Sequence, residues 1–281
     1  MKADTEQRGY GPTSPRVLAI TNQKGGVGKT TTAINLGTAL AAVGERVIVI
    51  DIDGQGNAST GLGIAPDARH VTTYNVLAEG VSLLDAALPT DVPDLYVVPA
   101  NSDLVGFEAT VMSENDRAFR LRNAVLDLQA RQIGETEDNA ISYVLLDCPP
   151  SLNLLTLNAM VAADAVIVPV QCEFFALEGI SQLRATIDQV SSTLNPKLEI
   201  QGVVLTMHEA KTTLSREVEA EVRTFFGPKV YRTVIPRNIR VAEAPSFGKP
   251  ILLYDYDCKG SQAYVQLATE IIGREKSARA A

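Results

Sequence analysis

The sequence predicts an α/β domain in which a mostly parallel, twisted sheet carries helices on both faces. Three observations lead there. Short apolar runs rich in β-branched residues recur at positions 17–20, 47–50, 95–98, 143–146, 165–168, 203–205 and 230–235. They are nearly continuous rather than alternating, the pattern of strands buried on both sides. Between them lie stretches with helical spacing, as in Leu177, Ile180, Leu183, Ile187, Val190 and Leu194, which step by three and four along one buried face. The third observation is a glycine-rich segment placed between the first apolar run and a helix start.

That segment reads Asn22-Gln-Lys-Gly-Gly-Val-Gly-Lys-Thr-Thr-Thr32. Gly25, Gly26 and Gly28 leave backbone N–H groups free to converge on phosphate oxygens, and Lys29 adds a point charge. Thr30 offers a hydroxyl where a nucleotide-bound Mg²⁺ must be held. The strict phosphate-loop pattern fails at its first glycine, which would fall on Gln23. A second lysine, Lys24, stands ahead of the paired glycines instead. One lysine is enough for the loop's own phosphates. A second, on the outer side, is placed to reach a nucleotide held by a neighbouring subunit, and charge supplied in trans is an effective device in phosphoryl transfer. A dinucleotide fingerprint would need a third glycine that Gly-Lys-Thr lacks. The loop implies a nucleoside triphosphate, and the fold class becomes α/β of the P-loop NTPase type.

In such a sheet ligands bind beyond the carboxyl ends of the strands. The second run ends in Asp51-Ile-Asp53, two carboxylates that point to the same side of the strand end. The run at 143–146 ends in Asp147-Cys148-Pro149-Pro150. Asp147 takes the Walker B position and is expected to hold Mg²⁺ through water. Cys148 reads as a small packed residue.

The Lys24–Thr30 box resembles the deviant Walker A motif of the ParA/MinD group of ATPases. The likeness extends from about Arg16 to about Gly273 and is closest to the chromosome-partitioning ParA (Soj-type) branch. It implies that Lys24, Asp53 and Lys29 are the catalytic residues, with Asp53 positioning or activating the attacking water in a switch segment. It implies that Thr30, Asp51 and Asp147 organise Mg²⁺, the aspartates through water. ATP would be bound by Lys24, Gly25, Gly26, Val27, Gly28, Lys29, Thr30 and Thr31. The base would lie against Met207, Pro236, Arg237 and Asn238, and Lys211 and Arg240 match DNA-binding positions. The partners implied are a second copy of the chain in the presence of ATP, nonspecific double-stranded DNA and a ParB-like centromere-binding protein. One departure stands out: Gly54 replaces a proline usual in the family, which bears on switch movement more than on nucleotide binding.

Composition bounds the rest. With 281 residues and 46% hydrophobic content the chain can bury one substantial core. Residues 1–15 are expected to be a disordered tail, residues 16–273 a single ATPase domain, and residues 274–281 a flexible tail. No added helix-turn-helix domain is expected. No apolar run approaches the ~20 residues of a membrane span. Three widely spaced cysteines suit a reducing cytoplasm and give no metal spacing. The net charge of −8 argues weakly against bulk affinity for DNA, yet positions 208–250 hold eight basic residues against five acidic ones. The expected location is cytoplasmic and nucleoid-associated, with no membrane. A MinD-like membrane-cycling ATPase is the alternative; it would need a C-terminal amphipathic helix, whereas Tyr264, Leu267, Ala268 and Ile271 read as a face packed on the domain. An iron–sulfur reductase is a weaker one, since neither Cys148 nor Cys172 is well placed to share a cluster.

Overall fold

The computed structural model describes residues 14–136, 139–173 and 176–280. The expected N-terminal tail lies outside the described residues up to residue 13. β1 (Arg16–Ile20) runs into the glycine-rich loop, and α1 (Lys29–Ala42) leaves it. β2 (Val47–Asp51) is followed by the short α2 (Asn57–Gly61) and α3 (Leu83–Ala86). A two-residue β3 (Leu88–Pro89) precedes β4 (Leu95–Val98). Then α4 (Phe107–Thr110) and α5 (Arg120–Arg131) lead to β5 (Tyr143–Asp147). α6 (Leu154–Ala162), β6 (Ala165–Gln171), α7 (Ala176–Thr193), β7 (Glu199–His208), α8 (Thr213–Phe226) and β8 (Val230–Pro236) alternate after that. α9 (Ile239–Glu243), α10 (Ile251–Tyr254) and the long α11 (Lys259–Ala280) close the chain.

The strands form one eight-stranded sheet in the order β3-β4-β2-β5-β1-β6-β7-β8. Every pairing is parallel except β3 with β4. All seven apolar runs are strands. β3 escapes sequence reading because it is two residues long and one is proline, which an edge strand tolerates. Alternate residues of each strand serve opposite faces. Leu18, Ile20, Val49 and Leu145 pack with Ile34, Leu36 and Leu40 of α1 and Leu267 and Ile271 of α11. Ala19, Ile50, Leu146 and Val168 pack with Val125 of α5, Met160 of α6 and Leu183 of α7. Each fully buried aliphatic side chain of this kind contributes about 1.5–3 kcal/mol.

Tyr264, Leu267, Ala268 and Ile271 are buried in the core, as the sequence suggested. The sequence places a flexible tail from residue 274, and α11 continues past Gly273 to Ala280. The cause is Glu275, a buried carboxylate that accepts from Tyr143 Oη at 2.5 Å, Gln201 Nε2 at 2.9 Å and Arg16 Nε at 3.2 Å. It ties the last turns of the helix to the amino ends of β5, β7 and β1. Among the described residues no helix is long and apolar enough to cross a membrane.

Candidate nucleotide site

The carboxyl end of β1 opens into the loop. Gly26 (φ 75°) and Gly28 (φ 86°) adopt left-handed backbone that glycine takes without strain, and Gly28 caps α1. The loop is anchored on both flanks. Asn22 Nδ2 donates to Pro169 O at 2.8 Å while its Oδ1 accepts from Lys24 N at 3.0 Å. On the other side Thr206 Oγ1 donates to Val27 O at 2.8 Å, joining the loop to β7. Lys29 is buried, with Nζ donating to Lys24 O at 3.1 Å. Burial lowers its pKa, against the opposing charges of Asp147 and Asp53. Lys24 points outward, its ammonium half-exposed and 3.6 Å from Glu173, just beyond β6.

The sheet register brings the candidate acids together. Asp147 pairs with Ile20 across β1 and β5 and with Asp51 across β2 and β5, so both carboxylates sit at the same level beside the loop. Asp51 is fully buried and accepts from Ser59 N (2.8 Å), Ser59 Oγ (2.7 Å) and Asp53 N (3.2 Å). Burial nevertheless raises its pKa to about 6, the Ser59 bonds pulling the other way. Asp147 is also fully buried, and neither oxygen meets a hydrogen-bond partner at good geometry. Burial, then the charge of Asp51, pushes it well above the usual carboxylate range, while the Thr30 side chain and Lys29 lower it.

A cation answers this arrangement. Mg²⁺ keeps several waters and takes few protein ligands, so two carboxylates and a threonine hydroxyl suit it. Among the described residues no group of three or more His, Cys, Asp or Glu side chains could form a closed cage. Cys148, directly after Asp147, is buried, and burial pushes its thiol far up. It is a packing residue. Asp53 is half-buried, its Oδ1 accepting from Gln55 N at 3.1 Å. A Cβ at Gly54 would lie 3.2 Å from Val105 Cγ2, so glycine there permits a close approach of the 102–106 turn. A cavity of about 360 Å³ separates the segment of Asp53 and Gly54 from Pro149, Pro150 and Ser151.

The remaining sequence-derived residues gather at the ends of β7 and β8, where His208 pairs with Pro236. Met207 has φ 50°, an unusual value for a side chain of its size. Arg237 N donates to His208 O at 3.1 Å, and its side chain pairs with Glu209 at 2.7 Å. Asn238 caps α9 by accepting from Arg240 N at 2.8 Å. Arg240 is exposed and pairs with Glu243 at 3.3 Å and Asp255 at 3.6 Å. Lys211 is exposed on the loop before α8 and has no ion-pair partner among the described residues.

The profile of the AAA domain family matches residues 15–200. The chromosome partitioning protein ParA of Caulobacter vibrioides is 59% identical over 265 residues, spanning 94% of this chain and 97% of the relative. The chromosome-partitioning ATPase Soj of Thermus thermophilus is 46% identical over 263 residues, spanning 94% and 98%. The chain belongs to the ParA/Soj family of chromosome-partitioning ATPases. Among solved structures, cobyrinic acid a,c-diamide synthase from Mycobacterium smegmatis with bound ATP analog and magnesium is 36% identical. It superposes with a TM-score of 0.79, covering 94% of this chain and 97% of its own.

Sequence reasoning on this ParA/Soj protein missed the polar residues that hold the site from behind. Asn22, Ser59 and Thr206 are buried and each is bonded to a site segment. Their signal is faint: a polar side chain inside an otherwise apolar stretch. Glu173 was missed too, because nothing in its local sequence links it to Lys24.

Proposed function

We propose that this ParA/Soj-family ATPase binds and hydrolyses ATP with Mg²⁺ and uses the cycle to bind and release DNA. The observation that supports it best is the juxtaposition of buried Lys29 with Asp51 and the unpaired Asp147 at the mouth of the glycine loop. Backbone N–H groups of 25–31 and the Lys29 ammonium hold the phosphates. Thr30, Asp51 and Asp147 hold Mg²⁺, which when bound neutralises charge developing on the phosphate oxygens. Asp53 orients the attacking water. Met207, Pro236, Arg237 and Asn238 receive the base.

Lys24 reaches the nucleotide of a second copy once it leaves Glu173, so that ATP closes a homodimer and completes two sites together. The closed dimer binds double-stranded DNA without regard to sequence through Lys211 and Arg240, and a ParB-like centromere-binding protein stimulates hydrolysis and release. The protein then works in the cytoplasm at the nucleoid. Lys211→Ala and Arg240→Ala together test the DNA face. The wild type should bind DNA only with ATP, with affinity falling linearly in log–log against salt. The double variant should keep ATP affinity and lose about one counterion of slope per lost phosphate contact. An unchanged slope places the DNA surface elsewhere, and ATP-independent binding sinks the cycle.

A further inference from the structure

The segment carrying Asp53 is not held by its own turn alone. Arg69, following a 3₁₀ turn over Pro66–Ala68, reaches back beneath it. Its Nη2 donates to Thr60 Oγ1 at 2.7 Å and Ile64 O at 2.8 Å, its Nε to Ile64 O at 3.2 Å, and its Nη1 to Ala100 O at 3.0 Å. One guanidinium thereby joins α2, the turn after it and the chain leaving β4. From there the bonds run to the site. Ala100 N donates to Ser59 Oγ at 2.9 Å, Ser59 donates twice to Asp51 Oδ2, and Asp51 Oδ1 receives Asp53 N. Thr73 Oγ1 closes the set by donating to Asp51 O at 2.7 Å.

The backbone is shaped to admit this side chain. Gly56 has φ 64°, and a Cβ there would collide with the Arg69 guanidinium and lie 2.8 Å from Ala100 O. Any larger residue at 56 would displace either the arginine or the chain after β4. Burial lowers the pKa of Arg69, and the charge of Asp51 opposes that shift.

We propose that Arg69 is a positioning residue for hydrolysis: it fixes α2 and Ala100 so that Ser59 holds Asp51 and Asp51 holds the backbone of Asp53. The proposal rests on the roles given to Asp51 and Asp53 above. Lysine cannot replace it fully, because a single ammonium lacks the planar fork that meets three acceptors on separate segments.

The test uses the full chain with Arg69→Ala, Arg69→Lys and, as a structural control, Arg46→Ala. Arg46 is bonded to Tyr96 Oη (2.9 Å) and paired with Asp94 (3.4 Å) at the opposite, amino ends of the strands. Hydrogen exchange without nucleotide should show the Asp53 and Ser59 amides opening about tenfold faster in Arg69→Ala, and less so in Arg69→Lys. Turnover with DNA should fall about 10- to 100-fold in Arg69→Ala, with affinity for a fluorescent ATP analogue nearly unchanged. Arg69→Lys should recover part of it. Arg46→Ala should lower thermal stability while leaving both amides and turnover alone. Unaltered protection at Asp53 and Ser59 in Arg69→Ala overturns the proposal, as does a turnover loss matched by Arg46→Ala. Should the wild type turn over no ATP, the functional reading falls while hydrogen exchange still decides the relay.

Discussion

Replacing Asp147 with asparagine should make the nucleotide-free protein more stable while removing its response to magnesium. The magnitude follows from its neighbour. Asp51, with three hydrogen bonds to its carboxylate, still moves from 3.8 to about 6, which corresponds to about 3 kcal/mol of disfavoured charge. Asp147 moves in the same direction, raised well above the ordinary carboxylate range by burial and by the charge of Asp51, with Thr30 and Lys29 opposing. Asparagine removes the ionisable group but leaves a buried amide in need of partners, a penalty of about 1–2 kcal/mol. The variant should therefore melt higher than the wild type in EDTA at pH 7.5, with the amide's own demand for partners subtracting from the gain.

The pH dependence carries the same sign. A carboxyl whose pKa is raised on folding contributes stability that is fully present below its unfolded value and lost as pH rises through the folded one. Wild-type stability in EDTA should therefore fall as pH climbs from about 4 through 6 and beyond, and the variant should lose part of that slope. The advantage of Asp147→Asn should shrink as pH falls toward the ordinary carboxylate range, where the wild-type carboxyl is protonated in both states. The chain has no tryptophan, so melts followed by circular dichroism are the suitable assay. With Mg²⁺ and an ATP analogue the wild type should gain several degrees and the variant little. A variant less stable than wild type in EDTA at pH 7.5, or a difference indifferent to pH, would refute the picture of an unpaired buried carboxylate.

Lys29→Ala should weaken ATP binding roughly 100-fold in a direct titration, because it removes the buried ammonium that meets the phosphates; near-normal affinity would contradict the loop assignment. Lys24→Ala should bind ATP normally yet fail to dimerise with it or turn it over, as sizing and phosphate release would report; a normal ATP dimer with normal turnover removes the in-trans role. Truncation after Gly273 should cost about 1–3 kcal/mol, since it removes Glu275, the carboxylate to which Arg16, Tyr143 and Gln201 donate; an unchanged urea midpoint would show that the end of α11 is dispensable.

The sheet was legible because burial on both faces leaves a long-range signature in local sequence. Seven strands come from runs that only a doubly covered sheet explains, and their carboxyl ends point to Asp51 and Asp147 before any coordinates are known. The end of α11 was illegible for a physical reason. Residues 274–280 are polar apart from two alanines, and such a stretch normally marks a solvated tail. Glu275 is buried only because Arg16, Tyr143 and Gln201 converge on it from three strands. No window of sequence around Glu275 contains any of them.

The same distinction separates the parts of the site. The glycine loop is legible because its chemistry is local: the residues that meet phosphate are neighbours in the chain, and left-handed backbone at Gly26 and Gly28 leaves glycine as the residue. The support behind Asp51 is not local. Ser59, Arg69, Thr73 and Ala100 are 8 to 49 positions away from it, and each would pass alone as an ordinary helix, loop or strand-end residue. Only Gly56 carries a trace of the arrangement in its sequence, as a glycine in a turn that already holds Gly54. One glycine lets the 102–106 turn approach and the other admits a guanidinium, a division of labour that their shared residue type conceals. Groups that touch the nucleotide can thus be named from a motif, whereas the groups that set how firmly they are held depend on which distant segments the fold brings beneath them.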